Sequence, residues 1–384
     1  MKIHWATRLR GFLRHVSERL PQVEFSENNN YYETNSITSK LKSKIIRFRI
    51  FDFLGIFQSV EIANRDCEIY GSFNRFLKAD KPYFVYLENP TALYHYCLDR
   101  IKYKRGKQRF ASHLNDKNLR HIVCMSKACA NTFEKINMPL PGHVKITNIY
   151  PLVPTNNLVS ESQIRQKSKN ETLECLFCVQ GIRFASKGGL ETMRAVNKLH
   201  CNGVKIHLTV ITKISDVDKR ILKEIKSYPF VTLYDFKFEY SELERIYARA
   251  NVLIQPTSDE SFGLTFLEAM KGGCTLIGSR MYAIPEMIQD GFNGCLVEPH
   301  YWFFDKNNIP NPKVWNHRRR TIYSGKVSED LVNSIAEKLG LLTDREVLEN
   351  YSLNSYKMSM SEDFSEEGII KKWNDILEDF KGND

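Results

Sequence analysis

The sequence predicts an α/β protein made of two doubly wound parallel domains. Its 384 residues exceed what one hydrophobic core usually organises, so two domains of about 150 to 200 residues are expected. Short apolar runs of strand character alternate with helical stretches in both halves, which is typical of parallel sheets. Between the halves, residues 154–170 are rich in Pro, Ser, Asn and Gln and show little periodicity, which predicts a linker.

The elements of the first domain, residues 1–153, are predicted from apolar runs. Predicted strands cover 67–70, 82–87, 121–125 and 144–150, and a helix follows the third of them over 126–135. Strand, turn, helix and strand in this order indicate a parallel sheet.

The alternation is clearer in the second domain, residues 171–355. Predicted strands cover 173–179, 206–211, 231–234, 252–255 and 275–277. Predicted helices cover 190–200, 216–227, 241–250, 265–271 and 285–289. A polar insertion at 302–326 precedes helices over 328–342 and 364–380, and residues 356–384 are expected to pack back toward the first domain. This order predicts a second doubly wound sheet.

The composition is that of an ordinary globular protein, with 42% hydrophobic and 26% charged residues. No apolar run approaches the roughly 18 to 20 residues that span a bilayer, and the first residues lack the apolar core of a signal peptide. The one close cysteine pair, Cys175 and Cys178, lies in an apolar run without the second pair that a zinc site needs. We therefore expect a cytoplasmic protein with reduced, buried thiols and no metal site.

The net charge of +10 is unevenly distributed. Residues 1–153 hold 25 Lys and Arg against 13 Asp and Glu, a balance of +12, whereas the remaining residues hold 30 against 32. The excess forms three clusters, at Arg8, Arg10, Arg14 and Arg19, at Lys40, Lys42, Lys44, Arg47 and Arg49, and at Arg100, Lys102, Lys104, Arg105, Lys107 and Arg109. The asymmetry suggests an anionic partner: membrane headgroups, a phosphorylated substrate or nucleic acid. A merely solvated surface is the simpler alternative.

The most informative segment runs from Pro256 to Gly273, where a buried strand ends, a polar loop follows and a helix begins near Leu264. Ligands of open α/β sheets collect at the carboxyl ends of the strands. A helix N-terminus there favours a diphosphate, and Gly263 lets it approach the backbone. Glu260 can accept hydrogen bonds from sugar hydroxyls, and Glu268, about one turn into the helix, can accept both hydroxyls of a ribose. A helix dipole stabilised by two acidic residues is the alternative.

A second element, residues 179–189, follows the first strand of the second domain and leads into a helix. Arg183 and Lys187 in this turn can neutralise the charge that builds on a departing diphosphate. Gly181 lies in the same turn and is expected to contact the ligand. The alternative is an ordinary helix start with surface cations.

The two elements together resemble the retaining GT-B glycosyltransferases of the "group 1" family. The family signature Glu-x-Phe-Gly-x-x-x-x-Glu-Ala-Met is present from Glu260 to Met270, and a Pro-Glu followed by Asp-Gly-x-Asn-Gly is present over 285–294. The likeness is close over about 240–299 and looser over 171–384. It implies a GT-B fold, in which two Rossmann-like domains face a central cleft, the first binding the acceptor and the second the nucleotide-sugar donor.

The resemblance also implies roles for individual residues. Glu260, Lys187 and Arg183 form the catalytic set, with Glu260 holding the donor sugar. The donor-binding set comprises Glu268 on the ribose and Ser261, Phe262, Gly263, Leu264 and Gly181 around the diphosphate and sugar. The reaction is expected to retain the anomeric configuration and to need neither a metal nor a cofactor, because the cations and the helix start can stabilise the leaving group. Whether Glu260 is a nucleophile or a positioning group stays open.

The first domain offers fewer candidates. Relatives often begin with a strand and a Gly-Gly loop, and this chain has nothing of equivalent spacing. Four residues that follow predicted strands are acceptor-side candidates: Glu88, Asn89, His95 and Ser126. Glu88 is a candidate base and His95 a candidate acceptor contact, although a lone His is more often structural.

Two other functions compete with sugar transfer. A nucleic-acid-binding protein would explain the basic clusters and the nearby aromatic residues, but not the organised second half, so no nucleic acid is expected. An epimerase or a phosphorylase-like enzyme would keep the fold and change the reaction. The expected partners are a nucleotide sugar, a glycan or lipid-linked acceptor of lipopolysaccharide or capsule type, and an anionic membrane surface bound through residues 1–153.

Overall fold

A computed structural model describes residues 1–27, 45, 46, 48–62, 64–136 and 138–382. The chain divides into two compact units, one of Met1–Leu152 with Glu366–Asp384 and one of Val153–Ser365. Both are parallel sheets flanked by helices, so the predicted class of two doubly wound α/β domains is confirmed. The predicted basic cluster at Lys40, Lys42, Lys44 and Arg47 lies outside the described residues.

The first unit is built on a six-stranded parallel sheet in the order β2-β1-β4-β6-β7-β8, and two short strands, β3 and β5, pair separately. Its strands are β1 (Lys2–Trp5), β2 (Glu24–Glu27), β3 (Val60–Glu61), β4 (Ile69–Phe73), β5 (Leu77–Lys78), β6 (Tyr83–Leu87), β7 (Leu119–Cys124) and β8 (Lys145–Asn148). Its first helices are α1 (Gly11–Glu18), α2 (Arg49–Leu54), α3 (Lys104–Leu114) and α4 (Lys127–Lys135). The strand order reverses between β1 and β4.

The sequence prediction misses β1 and β2. In β1, Lys2 and His4 interrupt the apolar pattern, although Ile3 and Trp5 are buried. The edge strand β2 has no fully buried residue, because it covers only one side of β1. Charged residues are tolerated on such edges, so neither strand gives a strong apolar run.

The second unit also contains a six-stranded parallel sheet, in the order β11-β10-β9-β12-β13-β14. Its strands are β9 (Leu173–Cys178), β10 (Ile206–Thr212), β11 (Val231–Asp235), β12 (Val252–Gln255), β13 (Thr275–Ser279) and β14 (Gly294–Val297). Its helices are α5 (Glu161–Ser168), α6 (Gly189–Cys201), α7 (Lys219–Ser227), α8 (Tyr240–Arg249), α9 (Leu264–Lys271), α10 (Ile284–Met287), α11 (Pro312–Trp315), α12 (Glu329–Leu341) and α13 (Arg345–Ser359).

The central strands of this sheet are apolar because helices cover both of its faces. Leu173, Cys175, Leu176 and Phe177 of β9 are all buried. Cys178 is buried beside them, so the Cys175–Cys178 pair lies in a core strand, as predicted.

Part of the predicted linker, 154–170, is helical. Helix α5 begins at the N-cap Ser160, and Ile164 on its inner face is buried. The Lys167 ammonium is also buried and donates to the carbonyls of Ala250 (2.7 Å) and Gly272 (2.9 Å), at the ends of α8 and α9. The negative ends of two helix dipoles stabilise the cation. Residues 154–170 therefore look like a polar linker in the sequence, because one of the residues that anchor α5 to the domain is a lysine.

The last helix, α14 (Glu366–Lys381), belongs to the first unit. Its Trp373 ring packs against the rings of Phe84 (5.5 Å) and Tyr86 (5.8 Å) on β6. Among the described residues, no helix combines the length and apolar character that crossing a membrane requires.

Candidate active site

The candidate donor residues lie at the point where the strand order of the second sheet reverses. Strands β9 and β12 are adjacent and parallel, and the chain leaves them toward opposite sides of the sheet. Loops 179–188 and 256–263 therefore extend from the same edge of the sheet. Ligands of open α/β sheets bind in the crevice at such a point.

The two loops are joined directly through their backbones. The Ser258 N–H donates to the Ser186 carbonyl at 2.8 Å. Gly188 has a φ of +77°, and a Cβ on it would lie 2.6 Å from Cγ of Pro256. Only glycine fits this position, and the close approach fixes the two loops against each other.

A buried ion pair connects the two predicted catalytic elements. Nζ of Lys187 lies 2.8 Å from Oε2 of Glu260 and also donates to the Asp259 carbonyl. Lys187 is only 6% exposed. The other carboxylate oxygen of Glu260, Oε1, accepts from the N–H groups of Ser261 (3.0 Å) and Phe262 (3.3 Å). The structure thus brings Lys187 and Glu260 into contact, although 72 residues separate them in sequence.

These contacts set the protonation state of Glu260. Burial alone would raise its pKa, but the Lys187 cation and the two backbone N–H groups outweigh burial and hold the pKa below its ordinary value. Glu260 is therefore a carboxylate at neutral pH, able to accept hydrogen bonds and to stabilise positive charge. The amides of Ser261 and Phe262, assigned to the donor by resemblance, contact Glu260 in this structure.

Arg183 lies one helical turn before Lys187. The Lys187 N–H donates to the Arg183 carbonyl at 3.0 Å, so the spacing of four places both residues on one turn. The Arg183 guanidinium is 3.1 Å from Oδ2 of Asp259, a buried carboxylate, and its side chain remains 44% exposed. It is the more accessible of the two cations.

Gly263 is the N-cap of helix α9 and has a φ of +96°. A Cβ there would lie 2.6 Å from the Phe266 ring, so the turn that starts the helix requires glycine. Phe262 is buried beneath it, and Leu264 is half-buried.

Glu268 lies further along α9 and accepts from the Tyr247 hydroxyl at 2.7 Å. Burial raises the pKa of Glu268, and the hydrogen bond from Tyr247 offsets this only in part. Both side chains line a small cavity of about 10 Å³, together with Asn156, Glu244 and Lys271. Tyr247 is a contact of this carboxylate that the sequence prediction does not include.

Gly181 is buried in a short turn of 3₁₀ helix, Gly181–Arg183. A Cβ on it would lie 2.3 Å from the Lys213 carbonyl oxygen. Close packing against a neighbouring loop therefore explains the glycine without a ligand.

The insertion after β14 supplies residues that the sequence prediction also misses. The Tyr301 N–H donates to Oγ of Ser258 (3.0 Å), and the Tyr323 hydroxyl donates to Oδ2 of Asp259 at 3.4 Å. The rings of Phe303 and Trp315 stack at 4.0 Å. The density of aromatic residues over 301–323 indicates a packed element, whereas the sequence prediction treats the insertion only as polar.

Comparison with known families shows which family the residues around this site resemble. Residues 159–302, which include both loops and α9, match the family model described as "Glycosyl transferases group 1". This range, less than half of the chain, is therefore similar to the glycosyl transferases group 1 family. The matched range contains every donor-side candidate of the sequence prediction.

One similar protein is an uncharacterized 41.2 kDa protein in the cps region of Klebsiella pneumoniae, 27% identical over 206 residues. The alignment covers 50% of this chain and 54% of the relative, so the chain spans about half the length of that relative.

Two solved structures share the fold of this chain. A glycosyltransferase from Rickettsia africae has a TM-score of 0.61 at 12% identity, covering 100% of this chain and 99% of its own. Anabaena Alr3699/HepE in complex with UDP and glucose has a TM-score of 0.57 at 13% identity, and the match covers 99% of this chain and 100% of HepE. At these identities the likeness shows the fold alone.

The acceptor-side candidates follow β6 and β7 in the first unit. Asn89 caps the 3₁₀ helix Pro90–Tyr94 by accepting from the Thr91 N–H (3.1 Å), and Ser126 caps α4 by accepting from the Cys129 N–H (3.0 Å). Nε2 of the buried His95 accepts from the Gln58 N–H at 2.8 Å. These three side chains have structural partners.

Glu88 differs from its neighbours because it is only partly buried. It accepts from the Tyr96 hydroxyl at 2.7 Å, and its N–H donates to Oδ1 of Asn74 at 3.0 Å. Among the four acceptor-side candidates, Glu88 is the one with a titratable, accessible side chain. Its predicted role as a base stays a prediction.

The chain contains one Asp-x-Asp sequence, Asp216-Val217-Asp218, which the prediction of a metal-independent site overlooks. Asp216 pairs with Lys213 at 3.0 Å, and Asp218 caps α7 by accepting from the Arg220 N–H at 2.8 Å. Within the described part of the chain, no three Asp, Glu, His or Cys side chains are grouped as metal ligands. Both aspartates thus have structural partners, and metal independence stays a prediction.

Proposed function

We propose that this protein transfers a sugar from a nucleotide-diphosphate donor to an acceptor hydroxyl. The buried Lys187–Glu260 ion pair at the carboxyl ends of β9 and β12 is the observation that carries the proposal. The similarity of residues 159–302 to the glycosyl transferases group 1 family supports it. The fold shared with Anabaena HepE, which was solved with UDP and glucose, is consistent with a nucleotide-sugar donor.

The donor would lie along loop 256–263 and α9. Glu268, with one oxygen held by Tyr247, would accept the ribose hydroxyls. The positive end of α9 and the Arg183 guanidinium would face the diphosphate. Lys187 would lie between this diphosphate and Glu260.

In the proposed reaction the bond between the anomeric carbon and the diphosphate oxygen breaks, and the acceptor oxygen forms a bond to that carbon. The electron pair of the broken bond remains on the diphosphate, where Lys187 and Arg183 stabilise it. The acceptor hydroxyl transfers its proton to the departing diphosphate oxygen. The ionised Glu260 stabilises the positive charge that develops on the sugar, and the configuration at the anomeric carbon is retained.

The acceptor is proposed to be a lipid-linked or surface-polysaccharide glycan. Two observations support this class: the Klebsiella relative is named for its cps region, and residues 1–153 carry a charge balance of +12. The cations Arg183 and Lys187 serve the leaving group without a metal in this proposal.

A thermal-shift screen against nucleotide sugars tests the proposal first. A donor at a hundred times its Kd would stabilise the native state by about 2.7 kcal/mol, which is a shift of several degrees. NMR of the product would then give the anomeric configuration, and transfer should persist in EDTA. Isomerised donor without acceptor would instead indicate an epimerase, and no stabilisation by any nucleotide sugar or nucleoside diphosphate would contradict the proposal.

A further inference from the structure

Three large apolar side chains are exposed together around helix α2. Phe48 is 60% exposed, Ile50 62% and Phe53 57%. Single exposed apolar residues are common on protein surfaces, but three within six consecutive positions form a patch that needs a partner. We call these three residues the α2 face.

The α2 face is held in place by a buried ion pair. Asp52, on the opposite side of α2, is buried and lies 3.0 Å from the guanidinium of Arg100. Arg100 is fully buried and also donates to the Ile46 carbonyl, just before the helix. The acidic residue of α2 therefore points inward, and the apolar residues point outward.

Exposed cations border the α2 face. Tyr103 contacts the Phe53 ring at 5.8 Å, and the Arg105 guanidinium lies 5.9 Å from the same ring. The first turns of α3 and the segment just before it expose a run of cations: Lys102, Lys104, Arg105, Lys107 and Arg109. Leu54, Ile56, Arg105 and Arg109 line an open groove of about 430 Å³ beside the face. Apolar and cationic side chains thus share one surface.

We propose that the α2 face and the cations of 102–109 form a docking surface for an anionic lipid bilayer. Aromatic and aliphatic side chains can enter the boundary between headgroups and acyl chains, while neighbouring Lys and Arg attract the anionic headgroups. The exposed aliphatic Ile50 favours lipid over nucleic acid, because a base stacks on rings and gains nothing from an aliphatic chain. The surface lies within the first unit, and this proposal does not depend on sugar transfer.

Vesicle sedimentation tests the proposal with the full-length chain. We expect binding to vesicles of equimolar phosphatidylcholine and phosphatidylglycerol, weaker binding at high salt, and little binding to phosphatidylcholine alone. Equal binding to both vesicle types, or no binding to either, would overturn the proposal.

Two pairs of variants separate the apolar and cationic contributions. F48S/I50S should weaken binding at least about tenfold, whereas F292S/L341S, which removes similarly exposed side chains from the second unit, should not. K104Q/K107Q should weaken binding about tenfold or more, whereas K223Q/K226Q on the exposed side of α7 should not. Equal losses within either pair would overturn the assignment.

A single-stranded oligonucleotide provides the competing outcome. If it binds more tightly than the anionic vesicles, and K104Q/K107Q weakens that binding while K223Q/K226Q does not, the surface is a nucleic-acid site and the lipid proposal is wrong. Thermal unfolding of each variant, with and without nucleotide sugar, shows whether the fold and the donor site persist.

Discussion

The two units share one construction, a six-stranded parallel sheet with a reversal of strand order, yet they differ in where charge is placed. At the reversal in the second unit, a buried lysine and a largely buried glutamate are in contact. At the corresponding reversal between β1 and β4, the contact is neutral: the Phe73 N–H donates to Oγ1 of the buried Thr7 at 2.8 Å. The first unit instead exposes its surplus cations along 102–109.

This difference separates two uses of charge. Opposite charges removed from water are strongly coupled, and they serve either chemistry or, as in the Arg100–Asp52 pair of the first unit, the anchoring of an element. Like charges in water interact weakly and over distance, which suits a surface that meets an anionic partner. We therefore expect substitutions in the second unit to affect transfer, and substitutions in the first to affect docking or stability.

The largest effect should come from the ion pair. Lys187→Met and Glu260→Gln should each reduce kcat/KM at least about a hundredfold to a thousandfold, because each removes a charge that faces the reacting groups. Lys187→Met should also lower the free energy of unfolding by about 3 kcal/mol, since it leaves a largely buried carboxylate unpaired. Initial rates and urea unfolding measure the two effects.

The double variant Lys187→Met/Glu260→Gln provides the control for folding. It should recover much of the lost stability but none of the activity. Arg194, on α6, forms a partly exposed ion pair with Glu224. Arg194→Met should therefore change neither the stability nor the activity by much. Full activity in both single variants would contradict the site assignment.

The next largest effect is expected where loops 179–188 and 256–263 pack against each other. Gly188→Ala should lower the free energy of unfolding by about 3 kcal/mol, combining a strained φ with a clash against Pro256. Gly203→Ala shares the positive φ, +84°, but its Cβ would meet nothing within 4 Å. It should cost only about 1 kcal/mol. Equal losses by urea unfolding would show that the loops do not pack as described.

A smaller effect is expected around Asp259. Asp259→Asn should reduce kcat/KM about tenfold, because Arg183 loses the charge that orients it. Tyr323→Phe should reduce it only about twofold to threefold, since it removes one long hydrogen bond to the same oxygen. The reverse order of effects in donor-saturation kinetics would contradict a positioning role for Asp259.

In the first unit, Ser126→Ala should lower the free energy of unfolding by about 1 kcal/mol through loss of a helix cap, without changing transfer. Ser17→Ala is a useful comparison, because its exposed hydroxyl donates to a carbonyl within α1 and should matter less. A large loss of transfer in Ser126→Ala would place the residue in the acceptor site.

The pH dependence of stability should differ in sign between two glutamates. The pKa of Glu260 is lowered below 4.5, so its stabilising contribution is complete above that pH and is lost as the pH falls through the native pKa. Burial raises the pKa of Glu268, so its destabilising contribution at neutral pH is relieved on acidification. Urea unfolding of Glu260→Gln and Glu268→Gln across this range should therefore diverge in opposite directions from the wild type.

Much of the second unit could be predicted from sequence, because its strands are continuous apolar runs and its loops carry glycines and charges at fixed spacings. The proximity of Lys187 and Glu260 could be anticipated, since parallel strands present their carboxyl ends at one edge. Helix α5 could not be predicted, because its buried Lys167 is stabilised by hydrogen bonds to carbonyls that are distant in sequence.

The first unit was less predictable for related reasons. The strands β1 and β2 are short and carry charged residues, and Asn89, His95 and Ser126 form hydrogen bonds with the backbone that no spacing reveals. Asp259 and Tyr323 were missed because their contact joins a loop to an insertion 64 residues away. The α2 face was not predicted either, since exposure depends on which side of α2 Asp52 anchors.

Calorimetric titration of nucleoside diphosphates and their sugars into the wild type and the Lys187→Met/Glu260→Gln variant tests the central claim most directly. The variant keeps the net charge of the pair and removes the two groups proposed to face the donor. We predict that a ligand bound by the wild type loses at least about tenfold in affinity in the variant. Equal affinity would contradict a donor site at the reversal point between β9 and β12.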